Sequence, residues 1–217
     1  MNKIISIEKA IDMIKDGDTI MVGGFLSGGT TEPLIDALVK KGTKNLTLIA
    51  SDTAFVDRGV GKLVANKQCK KIYTSHVGTN KETGRQMSTG ETEVILVPQG
   101  SLAEKIRAAG YGLGGVLTPT GIGTLVEEGK QTIEVDGKKY ILETPLHADF
   151  AFVHANTVDK YGNLQYRGSQ NNFNNVMASA AKITFAMYDN LVEAIDPNFV
   201  HTLGIFVNYI VDGTIAK

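Results

Sequence analysis

Apolar positions along the chain fall into two periods. Ile7, Ala10, Ile11 and Ile14 recur at helical spacing behind Ser6, a residue suited to cap a helix start, and Gly17 follows as a stop. The run TIMVGG (19–24) is short, continuous and apolar, as a strand buried on both faces reads. Leu34, Ile35, Leu38 and Val39 give a second helical face, closed by Lys40, Lys41 and Gly42. NLTLIAS (45–51), KIYTSHV (71–77) and VILVPQ (94–99) are further strands. SLAEKIRAAG (101–110) opens with Ser101 and Glu104 at capping-box spacing, which predicts a helix beginning there. QTIEVDGKKYILE (131–143) alternates with period two around Asp136-Gly137 and predicts a β-hairpin. ADFAFVHA (148–155), ITFAMYD (183–189) and GIFVNYIV (204–211) complete the strands, with NNVMASAAK (174–182) helical. Strand and helix alternate almost throughout. The pattern predicts one α/β domain over 1–217: an open, mainly parallel sheet with helices on both faces, plus a β-hairpin.

Composition narrows the partners. A formal net charge of -1 with well-mixed signs gives no basic patch, so nucleic acid is not expected. No stretch of about 18 apolar residues occurs, and the first helix carries Asp and Glu where a leader would be apolar. A soluble cytoplasmic chain without a membrane partner is expected. Cys69 is the only cysteine, which excludes an intrachain disulfide. The lysines of KQCKK could activate its thiol, but packing is the commoner role of a single cysteine. His76, His147, His154 and His201 are scattered, without ligand spacing or a nearby carboxylate partner, so no metal site is expected.

Glycine changes the picture more. The chain has 24 in 217 residues, about 11 % against roughly 7 % on average, and they gather at the ends of apolar runs. The strand at 19–22 runs into Gly23-Gly24-Phe25-Leu26-Ser27-Gly28-Gly29 just before a helix. In a parallel sheet, ligands bind beyond the C-terminal strand ends, where bare backbone approaches a bulky group and N–H groups favour anions. The same stretch also reads as a tight strand-to-helix crossing with no ligand. It is neither G-x-G-x-x-G nor a Walker loop, which argues against a dinucleotide.

DGDTIMVGGFLSGG (16–29) resembles the glycine signature of the alpha subunit of family I (3-oxoacid) coenzyme A transferases. SDTAFVDRGVGKLV (51–64), SHVGTNKETGRQM (75–87), VPQGSLAEKIRAAGYGLGGVLTPTGIGT (97–124) and GNLQYRGSQNNFNN (162–175) follow in the order of that subunit. The likeness is greatest to bacterial acetate/butyrate–acetoacetate transferases. Three positions depart from it. Thr31 stands where the family usually has proline, Asn171 where its Arg-Asn-Phe-Asn motif has arginine, and HTLG (201–204) where His/Val-Thr-Pro-Gly is usual. The first two departures leave their effect open; the third is expected to loosen a turn.

The resemblance implies a reaction that moves coenzyme A from an acyl-CoA to a free carboxylate through a glutamyl-CoA thioester. The family's nucleophilic glutamate lies on a second, beta polypeptide, and no Glu here matches its motif. The resemblance therefore implies a beta-subunit partner, two copies of each chain, coenzyme A as substrate and no tightly bound cofactor. It makes Gln99 an oxyanion donor, an amide that adds no competing charge, although Gln99 also reads as a cap of the following helix. It makes Gly23 to Gly29 the coenzyme A-contacting loop. GGVLTPTGIGT (114–124) reads either as part of the acyl pocket or as a loop buried beneath the first. Asn172, Phe173 and Asn174 are expected to fix a loop rather than touch substrate. Three other readings stay open: a succinyl-CoA-dependent sister transferase, a sugar-phosphate isomerase or deaminase, and a non-catalytic sugar-phosphate sensor.

Overall fold

A computed structural model describes residues 3–213. Strand β1 (Ile4–Ser6) leads into α1 (Ile7–Asp12), where the Ser6 hydroxyl accepts from the Lys9 N–H as the sequence predicts. Four strand–helix units follow: β2 (Thr19–Val22) and α2 (Glu32–Lys41), β3 (Leu46–Ala50) and α3 (Gly61–Ala65), β4 (Cys69–Thr74) and α4 (Lys81–Thr89), β5 (Glu93–Leu96) and α5 (Gln99–Gly110). Then come β6 (Val116–Thr118), β7 (Thr132–Val135) and β8 (Lys138–Glu143), which form a separate antiparallel sheet in the order β6-β8-β7. Asp136 (φ 50) and Gly137 (φ 73) make the expected hairpin turn with both central residues left-handed. Two long strands, β9 (Ala148–Asp159) and β11 (Ala181–Val192), flank β10 (Leu164–Gln165) and α6 (Asn174–Ala178), and β12 (Tyr209–Asp212) is the last element among the described residues.

The large sheet runs β1-β12-β11-β9-β2-β3-β4-β5 and is parallel apart from the short β10, which pairs antiparallel with β9. Its centre is the β2/β9 boundary. From there the order proceeds outward to β5 on one side and to β1 on the other, so the chain's two halves meet between β2 and β9. That is where an open parallel sheet leaves a crevice beyond its strand ends.

Alternation along the central strands feeds two cores. Ile20, Val22, Phe150, Phe152 and Phe185 join residues of α1, α2 and α3 on one face. Met21, Ala151, Val153, Ala155 and Ala186 join α5 and α6 on the other. The small residues of β9 on that second face let α6 approach closely. The small sheet is tied to α5 by an ion triad around a buried carboxylate: Glu143, 1 % exposed, accepts from buried Lys105 at 2.8 Å and half-buried Lys130 at 2.6 Å. Burial alone would push the Glu143 carboxyl up, but the two lysines outweigh it and hold it below the usual carboxylate range.

Several boundaries differ from the sequence reading. The helix after β5 begins at Gln99 rather than Ser101, with Pro98 as its N-cap and no side-chain cap. Ser101 points into the core with its hydroxyl unpaired, and Glu104 pairs with Arg107, so no capping box forms. Strand β4 starts at Cys69 and ends at Thr74, where the Thr74 and Ser75 hydroxyls donate to the Ser51 carbonyl and turn the chain. Of GIFVNYIV only 209–211 is strand, running on to Asp212; Gly204–Phe206 is a 3-10 turn pressed against the Tyr161 carbonyl. HTLG leads into that turn. Tyr166 and Thr202 hydroxyls meet at 2.9 Å, and Leu203 has φ -71 and ψ 139, a conformation proline shares. Cys69 is buried and its thiol is pushed up to about 12, which leaves packing as its role.

Candidate active-site loops at the strand ends

Past Val22 the chain keeps one ladder bond, Gly23 N–H to the Phe152 carbonyl at 3.0 Å, and then leaves the sheet. Gly24 makes the departure possible. Its φ of +106 and the Gly28 carbonyl 2.8 Å from where a Cβ would stand leave room only for glycine. Phe25 and Gly28 then exchange backbone hydrogen bonds at 2.9 and 2.8 Å around a two-residue tip. Leu26 (φ 47) and Ser27 (φ 72) occupy that tip in the left-handed region, an unusual place for leucine.

Buried Asp52, 4 % exposed, stabilises the tip from the neighbouring loop. Its carboxylate accepts from the Leu26 N–H at 3.1 Å and the Ala54 N–H at 2.7 Å, and Ala54 is itself left-handed at φ 52. One carboxylate thus holds two strained non-glycine residues on adjacent loops. At the other end, Gly29 (φ +71) lies against the Gln170 backbone. Loop and β3–α3 connection enclose only about 10 Å³. The segment therefore presents a surface rather than a cavity. Among the described residues, the N–H groups of Gly24, Ser27, Gly29, Thr30 and Thr31 are not taken up by the chain's own acceptors. Such unpaired donors around a left-handed turn suit an anionic or carbonyl oxygen.

Gln99 sits on the same edge of the sheet, but beyond β5, three strands from β2. At about 4.8 Å per strand the separation is roughly 14 Å. Its side chain is exposed and makes no hydrogen bond to a described residue, so it does not cap the helix it starts. The second glycine-rich stretch is not buried under the first. It contributes β6 to the small sheet and forms a groove of about 380 Å³ with the start of α5, lined by Gly100, Ser101, Val116, Leu117 and Thr118. Gln99 therefore directly precedes residues that line this groove, and Gly23 to Gly29 form a separate cluster.

Two features escaped sequence reading. His154 does have a carboxylate partner: its Nε2 lies 3.2 Å from Asp189 on β11, because His154 pairs opposite Met187 and Asp189 is two residues further on the same face. Burial pushes the imidazole below its usual range, against the pull of Asp189. Asp52 is the other, a buried acid whose role shows only once β3 lies beside β2.

The decisive observation comes from comparison with known proteins. Residues 4–213 match the family model described as coenzyme A transferase. The chain belongs to the coenzyme A transferase family. It is 51 % identical over 211 residues to the acetate CoA-transferase subunit alpha of Escherichia coli K12, covering 96 % of both chains. It is 49 % identical over 212 residues to the acetoacetyl-CoA:acetate/butyrate CoA transferase alpha subunit of Clostridium acetobutylicum, covering 97 % of both. An acyl-CoA transferase from Escherichia coli O157:H7, solved as a thioester complex with CoA, shares the fold at TM-score 0.83 and 24 % identity. The match covers 99 % of this coenzyme A transferase chain but 48 % of that one, so the present chain spans about half its length. Family membership disfavours the sensor and isomerase readings.

Proposed function

We propose that this chain is the alpha subunit of a cytoplasmic two-subunit transferase that moves coenzyme A between acetyl-, butyryl- or acetoacetyl-CoA and a free short-chain carboxylate. The observation that carries the reading is the 51 % and 49 % identity, over nearly the whole of both chains, to alpha subunits named for acetate and for acetoacetyl-CoA with acetate or butyrate. A beta subunit supplies the nucleophilic glutamate, and two copies of each chain assemble.

The chemistry divides between the subunits. The beta-subunit carboxylate adds to the thioester carbon, and the carbonyl oxygen becomes an oxyanion. Collapse expels the coenzyme A thiolate and leaves an acyl-glutamyl anhydride; the thiolate then attacks the glutamyl carbon, releasing the first carboxylate and forming glutamyl-CoA. The second carboxylate reverses these steps. Gln99 donates its free amide N–H to the oxyanion. It carries no charge that would pair with the incoming glutamate. Gly23 to Gly29 contact the coenzyme A portion through the unpaired N–H groups of half-buried Ser27 and Gly29. A coenzyme A ester is long enough to touch both clusters, which a small anion is not.

The test is to purify this chain alone and with the product of its neighbouring gene, and to assay acetate-dependent release of acetoacetate from acetoacetyl-CoA. Activity only on mixing, lost when one beta-subunit glutamate is changed, is expected. Substantial turnover by the single chain would overturn the division of labour. A preference for succinyl-CoA in the mixed enzyme would overturn the substrate assignment.

A further inference from the structure

Asn174, at the start of α6, is fully buried at the β2/β9 boundary. Its Oδ1 accepts from the His154 N–H of β9 at 2.9 Å. Its Nδ2 donates to the Gly29 carbonyl at 3.0 Å and to the Gln170 carbonyl at 2.7 Å. The partners fix the amide's orientation, because a backbone N–H needs the oxygen and two carbonyls need the NH₂.

The His154 bond explains the location. Gly23 makes the last β2–β9 ladder bond, to Phe152, and the chain then turns away at Gly24. The next N–H along β9, that of His154, would be left without its neighbouring strand. A buried backbone donor without a partner is costly. The Asn174 side chain occupies the place that β2 vacates, and at the same time ties the departing loop back through Gly29. Gly23 shows how closely it does so: a Cβ there would stand 1.9 Å from Asn174 Oδ1. Gly23 is glycine because Asn174 lies where its side chain would be.

We propose that Asn174 is the positioning residue of the Gly23–Gly29 loop, standing in for a strand residue at the centre of the sheet and setting the loop conformation that receives the coenzyme A ester. The last clause rests on the reading of that loop as the coenzyme A contact.

The experiment uses the reconstituted two-subunit enzyme. Asn174→Asp keeps the acceptor for His154 but turns a carboxylate oxygen toward the Gly29 and Gln170 carbonyls; Asn174→Ala removes all three bonds. Hydrogen exchange should show the Phe25 and Gly28 amides exchanging at least roughly tenfold faster in both variants, and the His154 amide released only in the alanine variant. KM for acyl-CoA should rise roughly tenfold with kcat nearly unchanged. Unchanged loop exchange in a folded Asn174→Asp enzyme would overturn the proposal. Faster loop exchange with an unchanged KM would instead overturn the reading of the loop as the coenzyme A contact. Gly23→Ala offers a second route, because it must displace Asn174. The double variant Gly23→Ala/Asn174→Ala should be no looser than Asn174→Ala alone, and additive loosening would overturn the coupling.

Discussion

The two clusters at the strand ends are built in opposite ways. The Gly23–Gly29 loop is held from within the chain, at its base by Asn174 and at its tip by Asp52, with little space beneath it. Gln99 has no such support: its side chain is exposed and free, on a helix start beside an open groove. A preformed loop presents fixed backbone donors and needs no partner to shape it. A free amide beside a groove gains its geometry when something docks there. The proposed division, in which this chain binds the ester and a beta subunit completes the reacting centre, requires such a contrast.

Substitution at Gln99 should give the largest effect. Gln99→Ala in the mixed enzyme should lower kcat by about 10²–10³-fold, roughly 3–4 kcal/mol of transition-state stabilisation. Because the side chain is exposed and hydrogen-bonds no described residue, Tm should not move. A fall in Tm with kcat preserved would make Gln99 a structural residue and erase the contrast.

The glycine loop should respond in the opposite manner. Gly24→Ala places a Cβ against the Gly28 carbonyl at φ +106, and the backbone strain alone costs about 1–3 kcal/mol of stability. Tm and acyl-CoA affinity should fall together. A bulky residue at Gly23 or Gly24 therefore cannot report on ligand contact by itself, since both glycines are required by the loop's own packing. Full stability and activity in Gly24→Ala would show that the loop is not held as described.

Acid should separate the regions by pH. His154, beside the loop clamp, has its pKa lowered by burial, so the unfolded chain takes up the proton first as pH falls below about 6.5. Its contribution is present above that value and is lost as pH falls toward the lowered folded pKa. Glu143, which anchors the small sheet near Gln99, also has a depressed folded pKa despite its burial. Its contribution is intact above the ordinary carboxylate value and is lost only at more acid pH. Tm measured from pH 7.5 to 3.5 should lose its slope between 7 and 5 in His154→Gln. Glu143→Gln should alter the acid end instead. An unchanged slope in His154→Gln would remove the histidine from this account.

How far the sequence carried this picture depended on the range of the interaction. The central strands were legible because runs such as TIMV and FAFV are apolar on both faces, and the hairpin because Asp136-Gly137 has little alternative. Helix α4 was missed since KETGRQMST has no apolar stripe; the Asn80 side chain, accepting from the Glu82 and Thr83 N–H groups, supplies its start. Ser101 and Glu104 had the right spacing for a cap, but Pro98 starts the helix earlier and turns Ser101 inward. Asp52 and Asp189 carried no signal of their own, since each acts on a residue brought near only by strand pairing. The family motif did single out Asn174 as a loop-fixing residue. Its exchange of partners between β9 and the glycine loop needed the sheet order.

The smallest expected effect concerns the departure at Thr31. Thr31 has φ -82 and ψ 66, and the Glu32 N–H donates to the Thr30 carbonyl at 3.0 Å, so it is the central residue of an inverse γ-turn leading into α2. Proline tolerates that φ. The Thr31 N–H is not used by the chain's own acceptors and its hydroxyl is buried without a partner, so replacement removes no hydrogen bond that the fold makes. Thr31→Pro should therefore stabilise the chain through its unfolded state by about 0.4–1 kcal/mol, a rise in Tm of roughly 1–4 °C at this size. Activity should be unchanged if Thr31 is only a hinge into the helix. If the γ-turn instead sets the approach of the glycine loop to the coenzyme A ester, the same variant should be more stable yet raise KM for acyl-CoA. The residues that shape the loop would then extend beyond Gly29 to the start of α2.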